Sequence, residues 1–455
     1  MSTDLHGFPF WTLEFDKAGA AANPGALDTF VNDIATKALT DVFVFSHGWN
    51  NDSNAALTLY DHYFAEVRKI VDAKGVAARI GVAGVIWPSI LWPDDAAASA
   101  RTDVVAPPMS GGAVALGEGP PPPVATASLD DVHAALNKGY TAVSQQALLA
   151  DLVTLLRDRA DSDEALQGFQ QKLKQLLASE VQGAALDKAN PDAADGAVGD
   201  MPYKAFRRLL DTLGHQMPQP AAGGAAGLME SLGKLWDGAK DVLRVGTYWQ
   251  MKERAGVVGR TGLGPLVAKL QARVPAVRVH LIGHSFGARL VSNALAGLPA
   301  GATGTASPVK SLLLLQGAFS HFAFADVLPQ DNTRSGALKG MAARVDGPLL
   351  ATHTLRDLAV GRSYPAASFV NRDDASAASD QVSRWGAMGN DGAQAVEAVR
   401  LPLGDVGTVY PFKPGQWINL DGNQVIIHGG LPSGAHSDIV HPHTAWAALV
   451  AARLV

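Results

Sequence analysis

Apolar and polar positions along the chain follow either short apolar runs or a helical periodicity, and these patterns predict where strands and helices lie. Short apolar runs at residues 8–15, 41–46 and 79–87 are rich in β-branched and aromatic side chains and indicate strands, the first at a sheet edge. Residues 54–72 repeat apolar positions at helical spacing, which predicts a crossover helix. A strand, a helix and a strand in this order favour a parallel sheet covered by helices.

The alternation of strand and helix patterns stops between residues 96 and 245, where the sequence has no convincing buried strand. Prolines at 107–108 and 120–123 frame a glycine-rich loop. Helical patterns then follow at residues 129–157, 162–182, 202–214 and 227–243. We therefore predict a helical cap inserted into an α/β domain.

The strand and helix rhythm returns near residue 260. Further strands are predicted at 277–282, 309–315, 349–354 and 425–427, and further helices at 264–273, 286–296 and 444–454. Residues 371–423 are polar and irregular, and their pattern predicts no order of elements. The predicted core is thus formed by residues 1–95 and 246–455, with residues 96–245 as the cap.

Composition restricts the function further. The 455 residues are 47% hydrophobic and 18% charged, which is typical of a globular protein with one enlarged domain or two. The formal net charge of -6 gives no basic footprint, so we expect no nucleic-acid partner. The chain has no cysteine, which excludes disulfides, thiolate metal sites and a cysteine nucleophile.

Membrane and export signals are also missing from the pattern. The first residues do not combine a basic start with an apolar segment, and no apolar run approaches the roughly 18 residues that span a bilayer. We expect a cytoplasmic protein without a transmembrane segment, although export by a machinery that needs no signal peptide fits the same sequence. The oligomeric state does not follow from these residues.

The strongest chemical signal is a serine between two glycines, G-H-S-F-G at residues 283–287. A predicted strand runs into it and a predicted helix runs out, which is the arrangement of a nucleophile elbow. The glycines let the backbone turn sharply beside Ser285, and the helix start offers N–H groups to a developing oxyanion. A serine in an ordinary tight turn is the alternative, and the flanking elements argue against it.

A second turn, S-H-G-W-N at residues 46–50, follows the predicted strand at 41–46. A backbone N–H at this place can stabilise an oxyanion without ever titrating. We predict that the N–H groups of Trp49 and Phe286 form the oxyanion hole, with Asn50 as the alternative donor. A plain strand-to-helix turn capped by residues 51–53 is the structural alternative.

These two segments resemble the α/β-hydrolase superfamily, and within it bacterial serine esterases and lipases. The resemblance rests on F-V-F-S-H-G-W-N at residues 43–50 and H-L-I-G-H-S-F-G-A-R-L at residues 280–290, and it extends over residues 1–95 and 245–455. It implies a mostly parallel, twisted sheet with helices on both faces. It also implies the chain order serine, acid, histidine, with the acid after a late strand and the histidine after the last.

Asp357 directly follows the predicted strand at 349–354 and is the candidate acid. Its role would be to fix the tautomer of a histidine and to stabilise the cation that forms there. Asp326 is an alternative, because some family members place the acid one strand earlier. Asp373 and Asp374 are weaker alternatives, and a carboxylate that caps a turn next to Arg356 is the structural alternative for Asp357.

His436 lies in a glycine-containing loop before the last helix and is the candidate general base, which must reach the serine. His441 and His443 flank the start of that helix and are alternatives, and His428 ends the last predicted strand. The four histidines could instead form a metal cluster, but the carboxylate spacing of a known metal site is missing. We therefore expect neither a metal nor a cofactor.

Two tryptophans are candidates for a substrate pocket. Trp87 ends a predicted strand at the edge that carries the serine, and Trp236 lies on the apolar face of the predicted helix at 227–243. Glycines 223, 224 and 227 could let this helix move as a lid over Ser285. Core packing is the alternative for both tryptophans.

Taken together, the residues predict a serine hydrolase that cleaves small-molecule or lipid-like carboxylic esters through an acyl-enzyme intermediate. An acyltransferase or a thioesterase would use the same Ser285, His436 and Asp357. A non-catalytic ligand-binding protein on the same fold is the alternative outside the enzymes.

Overall fold

The structure is a computed structural model that describes residues 2–49, 52–89, 128–160, 162–178, 202–214, 229–329, 331–360, 386–429 and 433–455. The proline-rich loop predicted at 107–123 and the glycines predicted to act as hinges at 223–227 lie outside these ranges. So do the alternative acids Asp373 and Asp374.

Within the described residues, nine strands form one sheet whose order is β1-β2-β4-β3-β5-β6-β7-β9-β8. The short first strand pairs antiparallel with the second, and every other pair is parallel. The strands are β1 (Thr3–Leu5), β2 (Phe8–Glu14), β3 (Asp41–Ser46), β4 (Ile80–Ile86), β5 (Arg278–His284), β6 (Val309–Leu315), β7 (Leu349–His353), β8 (Ala398–Pro402) and β9 (Trp417–Asp421).

Ten helices of ten or more residues accompany this sheet in the described part of the chain. They are α1 (Pro24–Thr36), α2 (Ser53–Lys74), α3 (Leu129–Gly139), α4 (Val143–Asp158), α5 (Asp163–Ala178), α6 (Tyr203–Gly214), α7 (Met229–Val258), α8 (Gly264–Arg273), α9 (Phe286–Ala296) and α10 (Pro442–Ala451). None of these described helices is both long and apolar enough to cross a bilayer.

Both faces of the sheet are buried, because successive side chains of a strand point to opposite sides. In β3, Val42 and Val44 belong to one hydrophobic cluster, whereas Phe43 and Phe45 belong to another. The first cluster includes residues of α1, α8 and α9, and the second includes residues of α2 and α10. Helices therefore cover both sides of a mostly parallel α/β sheet, as the strand patterns predict.

The inserted helices join the sheet domain through the C-terminal half of α7. That half packs on α9, where the buried Arg289 donates its Nε–H to the Lys252 carbonyl at 2.8 Å. The turn directly after α7 also contacts α9 closely, and only glycine fits at its first position, because a Cβ at Gly259 would lie 2.1 Å from the Leu290 carbonyl oxygen. The insertion is thus anchored directly to the helix that follows Ser285.

Three expectations about the elements need correction. The run at 425–427 is a turn, in which Ile426 packs into the core and the Ile427 N–H donates to Asp438 Oδ2 at 2.8 Å. The last sheet strands are instead β8 and β9, within the stretch whose pattern predicts no order. Residues 8–15 do not form the sheet edge, because β1 lies outside β2.

The third correction concerns the predicted helix at 129–157, which is two helices. α3 ends at Gly139 and Tyr140 adopts an extended conformation, so the chain turns before α4 begins at Val143. Glycine disfavours helix continuation because it has the largest conformational entropy to lose. The position of the break therefore has a local cause, although apolar spacing runs across it.

Candidate active site

The carboxyl ends of the parallel strands meet at one edge of the sheet, and the predicted chemical residues follow those ends. Ser285 follows β5, Asp357 follows β7 by four residues, and His47 follows β3. His436 lies in the loop between β9 and α10. In open parallel sheets this edge is where ligands bind, because loops from several strands converge there.

Ser285, His436 and Asp357 form a continuous chain of hydrogen bonds. His436 Nε2 lies 2.8 Å from Ser285 Oγ, and His436 Nδ1 lies 2.7 Å from Asp357 Oδ2. A carboxylate only accepts, so Nδ1 carries the proton and Nε2 accepts from the serine hydroxyl. The histidine tautomer is therefore the one in which Nε2 can take the serine proton.

Ser285 occupies a strained backbone conformation with φ 58° and ψ −121°. Tight contacts on either side force this turn: a Cβ at Gly287 would lie 2.0 Å from the Ser46 carbonyl oxygen, and a Cβ at Gly283 would lie 2.4 Å from the Gly287 carbonyl oxygen. Positive φ at a non-glycine residue costs on the order of 1–2 kcal/mol. Both glycines of the G-H-S-F-G segment are thus required by close packing around the serine.

The loops that carry the acid and the histidine are tied together through their backbones. Asp357 and Gly434 form an isolated antiparallel bridge, and the Ala435 N–H donates to the Arg356 carbonyl at 2.9 Å. Gly434 has φ +60°, and a Cβ there would lie 2.3 Å from the Arg356 oxygen. The distance between Asp357 and His436 is therefore held by main-chain contacts on both sides of the pair.

Asp357 is completely buried and its oxygens have further donors besides His436. The Gln316 side-chain amide lies 3.0 Å from Asp357 Oδ2, and the Val360 N–H lies 3.2 Å from Oδ1. Gln316 has no local signal in the sequence, because a glutamine at the end of a strand has no motif around it. The one available signal was its place, directly after β6 and between the strands of the serine and the acid.

The loop after β3 lies against the serine. A Cβ at Gly48 would be 2.5 Å from Ser285 Cβ and 3.1 Å from its Oγ, so only glycine fits there. Trp49 comes next, and its ring lies 6.3 Å from that of Phe286, the first residue of α9. The two residues predicted to form the oxyanion hole are therefore neighbours on either side of the serine, and their role stays a prediction.

Side chains from two other elements hold this loop in place. The His47 N–H donates to the Tyr60 hydroxyl at 2.9 Å, and that hydroxyl donates to the Val85 carbonyl at 2.6 Å. Trp87 donates its Nε1–H to the His47 carbonyl at 3.1 Å and stacks on the His47 ring. Trp87 is buried and supports the loop, and its place in the wall of a substrate pocket stays a prediction.

Two neutral histidines lie beside the serine. Burial lowers the pKa of His47 to about 4, and its Nδ1–H donates to the Gly48 carbonyl at 2.8 Å. Burial, together with the nearby His436, lowers the pKa of His284 to about 3. The Nε2 of His284 lies 2.9 Å from the His436 carbonyl oxygen, so this histidine contacts the loop that carries His436.

The alternative residues lie elsewhere. His441 bonds Asp438 Oδ1 at 2.9 Å, His443 bonds Asp405 Oδ1 at 2.8 Å, and His428 is an exposed side chain beside Asp438. Hydrogen bonds from His441 and from the backbone of His428 and Ile427 outweigh burial and lower the pKa of Asp438. Over the described ranges, no group of three or more acidic or histidine side chains could hold a metal ion.

Trp236 packs against other helices of the insertion. Its Nε1–H donates to the Ala160 carbonyl at 3.1 Å, and its ring meets Phe169 edge-on at 6.0 Å. It is 1% exposed and belongs to the same hydrophobic cluster as Phe169 of α5 and Phe206 of α6. The partners Ala160 and Phe169 of Trp236 belong to the cap, and its contact with a substrate stays a prediction.

Comparison of the chain with protein-family models, with curated protein sequences and with solved structures found no match. The class of the site is therefore defined by its own geometry. It is a serine, a histidine and a buried aspartate in hydrogen-bond contact at the carboxyl edge of a mostly parallel sheet.

Proposed function

We propose that this protein is a serine hydrolase of the α/β-hydrolase type that cleaves carboxylic esters. The observation that carries the proposal is the pair of hydrogen bonds that links Ser285 Oγ to His436 Nε2 and His436 Nδ1 to Asp357 Oδ2, at 2.8 and 2.7 Å. A nucleophile that contacts a base, which in turn contacts an orienting acid, is the arrangement that activates a serine.

The course of the chain supports the same proposal. The serine lies on a sharp turn between a strand and a helix, and the acid and the histidine follow in that order. This is the order of the catalytic residues in α/β-hydrolases. The mostly parallel sheet with helices on both faces is compatible with that fold.

In the first half of the reaction, Ser285 Oγ attacks the ester carbonyl carbon while His436 Nε2 takes its proton. Asp357 stabilises the cationic imidazole and holds its Nδ1–H. The carbonyl oxygen becomes an oxyanion that accepts hydrogen bonds from the Trp49 and Phe286 N–H groups. The intermediate then expels the alcohol, which takes the proton from His436 Nε2.

In the second half, water replaces the alcohol. His436 Nε2 takes a proton from water, whose oxygen attacks the acyl-enzyme carbonyl, and a second oxyanion forms in the same place. Collapse breaks the bond to Ser285, returns the proton to Oγ and releases the carboxylic acid. No other group is needed to balance the reaction.

The proposed function is tested with an active-site serine probe and a series of p-nitrophenyl esters from acetate to palmitate. We expect the protein to be labelled by a fluorophosphonate and to hydrolyse at least one ester, and Ser285→Ala to abolish both. The expected loss in kcat is about 10³-fold or more, and His436→Ala should match it, because triad residues act as a unit.

His441→Ala is the matched control, because this neighbouring histidine bonds Asp438 and not Ser285. It should keep most of the activity. Full ester turnover in a clean Ser285→Ala preparation would overturn the proposal. Labelling without hydrolysis would instead favour an acyltransferase, which adding an alcohol or amine acceptor would reveal, and thioesters in the same series would identify a thioesterase.

A further inference from the structure

Gln316 lies directly after β6, between the strand that leads to Ser285 and the strand that leads to Asp357. It is fully buried, and its Nε2 lies 3.0 Å from Asp357 Oδ2, the same oxygen that accepts His436 Nδ1–H. We propose that Gln316 is a positioning residue that holds the Asp357 carboxylate in the plane that His436 requires. This inference rests on the proposed hydrolase function.

The orientation of the Gln316 amide is determined by its other partners. Nε2 also lies 3.0 Å from the Gly389 carbonyl oxygen, which can only accept, so this atom must be the NH₂ group. Oε1 accepts from the Thr352 hydroxyl at 2.9 Å, and that hydroxyl accepts from the Gln316 N–H at 3.1 Å. Each polar atom of the side chain is thus used, and one N–H is left for Asp357 alone.

The unfavourable backbone conformation of Gln316 indicates that its side chain has a specific role at this position. Its φ is +47°, a left-handed conformation that glycine or asparagine adopts more readily than glutamine. Such a conformation costs on the order of 1–2 kcal/mol. A cost of this kind is usually offset by a specific role of the residue, and here the hydrogen bond to Asp357 supplies one.

The neighbours of Gln316 connect the same segment to the nucleophile. The Ser285 N–H donates to the Leu315 carbonyl at 3.0 Å, and the Ala318 N–H donates to the Ser285 carbonyl at 3.2 Å. Residues 315–318 therefore contact the backbone of the serine and the side chain of the acid. The segment sets the position of both ends of the hydrogen-bonded chain through His436.

Three donors, distributed over its two oxygens, fix the Asp357 carboxylate. The Val360 N–H holds Oδ1, and Gln316 and His436 share Oδ2. Without the Gln316 donor, rotation of the carboxylate would move Oδ2 away from His436 Nδ1. The imidazole could then carry its proton on Nε2, the tautomer that cannot accept from Ser285. The expected defect is therefore in kcat and not in KM, since Gln316 lies behind Asp357.

The test compares Gln316→Met, which keeps the length but removes the amide, with Gln316→Glu, which places a second carboxyl against Asp357. We expect Gln316→Met to lose about 10- to 100-fold in kcat with KM unchanged, the range for losing a hydrogen bond to a charged group. We expect Gln316→Glu to move the acid limb of the kcat/KM profile to higher pH, because two carboxyls in contact share a proton.

Asn293→Leu is the matched control for a merely structural effect. Asn293 is also a buried amide with two hydrogen bonds, to Arg260 and to the Arg289 carbonyl, but it lies eight residues along α9 from Ser285. It should lose stability and keep kcat and the pH profile. Wild-type kcat and an unchanged profile in both Gln316 variants would overturn the inference.

A readout that needs no turnover separates this inference from the proposed function. The His436 Nδ1 proton should give a far-downfield ¹H NMR signal that Asp357→Asn removes. If no ester is hydrolysed, the proposed function fails, and the signal still decides the role of Gln316. A shifted or broadened signal in Gln316→Met, with an unchanged one in Asn293→Leu, supports the positioning role, and an unchanged signal in both refutes it.

Discussion

His284, the residue before Ser285, donates its Nε2–H to the carbonyl oxygen of His436 across 2.9 Å. It therefore holds the backbone of the histidine whose side chain bonds Ser285. The two rings lie 5.1 Å apart. Burial keeps His284 neutral by lowering its pKa to about 3. Its donor is therefore present throughout the pH range in which ester hydrolysis is measured.

The first prediction follows from this contact. His284→Leu should lower kcat about 10-fold, because the His436 carbonyl loses its donor and the loop can shift. His284→Gln should retain more activity, since its terminal NH₂ can reach the position of Nε2. Steady-state kinetics of the wild type and the two His284 variants on one ester measure this difference in kcat. Equal activity of the leucine and glutamine variants would show that the hydrogen bond is unimportant.

The second prediction concerns Gly48. Gly48→Ala should lower kcat about 100-fold or more, because the new Cβ would lie 2.5 Å from Ser285 Cβ and either the serine or the loop must move. Gly168→Ala is the control, because a Cβ in that part of α5 meets nothing within 4 Å. It should be fully active and up to about 1 kcal/mol more stable. An active Gly48→Ala protein would argue against an oxyanion hole in this loop.

The third prediction compares two buried tyrosines on α2. The Tyr60 hydroxyl links the His47 N–H to the Val85 carbonyl, whereas the Tyr63 hydroxyl donates to the Thr444 carbonyl at 3.3 Å, away from this loop. Tyr60→Phe should destabilise the protein by about 1–3 kcal/mol and also lower kcat. Tyr63→Phe should lower stability alone. Urea unfolding and kcat, measured on both variants, separate the two effects, and a normal kcat in Tyr60→Phe would contradict the prediction.

The part of the site around Ser285 can be predicted from the sequence, because it is formed by neighbouring residues. A strand, a glycine-flanked serine and a helix have short-range signatures, and α9 begins and ends where its pattern predicts. The place of Asp357 after a strand and of His436 in a glycine-containing loop before the last helix predicts the other two residues, and in the structure His436 contacts both Ser285 and Asp357. Their catalytic roles remain predictions until activity is measured.

Contacts between distant segments left no such signature. Gln316 meets Asp357 across 41 residues, and Tyr60 meets Val85 across 25, so neither pair shares a motif. The contact of His284 with His436 has no motif either, because the two residues lie 152 positions apart in sequence. Only the strand order of the sheet brings these residues together.

The error in the last strands has a different cause. The run at 425–427 is apolar and β-branched, yet it forms a turn because Asp438 accepts the Ile427 and His428 N–H groups. β9 contains the polar Asn419, whose side chain bonds the backbone of Ala393 twice and is buried. Because Asn419 is a polar residue buried for its contact with a loop, the hydrophobic pattern of β9 does not predict a strand.

The fourth prediction is a loss of stability in mild acid. Burial lowers the pKa of His47 to about 4 and of His284 to about 3 from the ordinary 6.5, so both are neutral when folded. As the pH falls below about 6.5, the unfolded chain binds protons that the folded chain cannot, and the free energy of unfolding decreases. Each such histidine contributes up to about 1.4 kcal/mol per pH unit.

Asp41 extends this loss to lower pH. Burial would raise the pKa of Asp41, but hydrogen bonds from His280 and Thr40 and the charge of Arg278 lower it. The ionised carboxylate therefore stabilises the folded protein above about pH 3.8, and this stabilisation is lost as the pH falls below that value. Urea unfolding from pH 8 to 4.5 measures the histidine part, and His284→Gln should have the shallower slope. Constant stability between pH 7 and 5 would contradict the prediction.

The last prediction concerns the insertion. Because Trp236 bonds the Ala160 carbonyl and packs on Phe169, Trp236→Ala should destabilise the cap by about 3–5 kcal/mol, the range for truncating a buried aromatic residue. Any loss of activity should then be equal for acetate and palmitate esters, since the contacts of Trp236 with Ala160 and Phe169 hold the cap together. The measurement is the ratio of kcat/KM for the two esters, together with thermal unfolding. Trp236→Phe, which keeps an aromatic ring beside Phe169, should lose less stability and leave the ratio unchanged. A selective loss on the palmitate ester would instead support the lid that the sequence suggested.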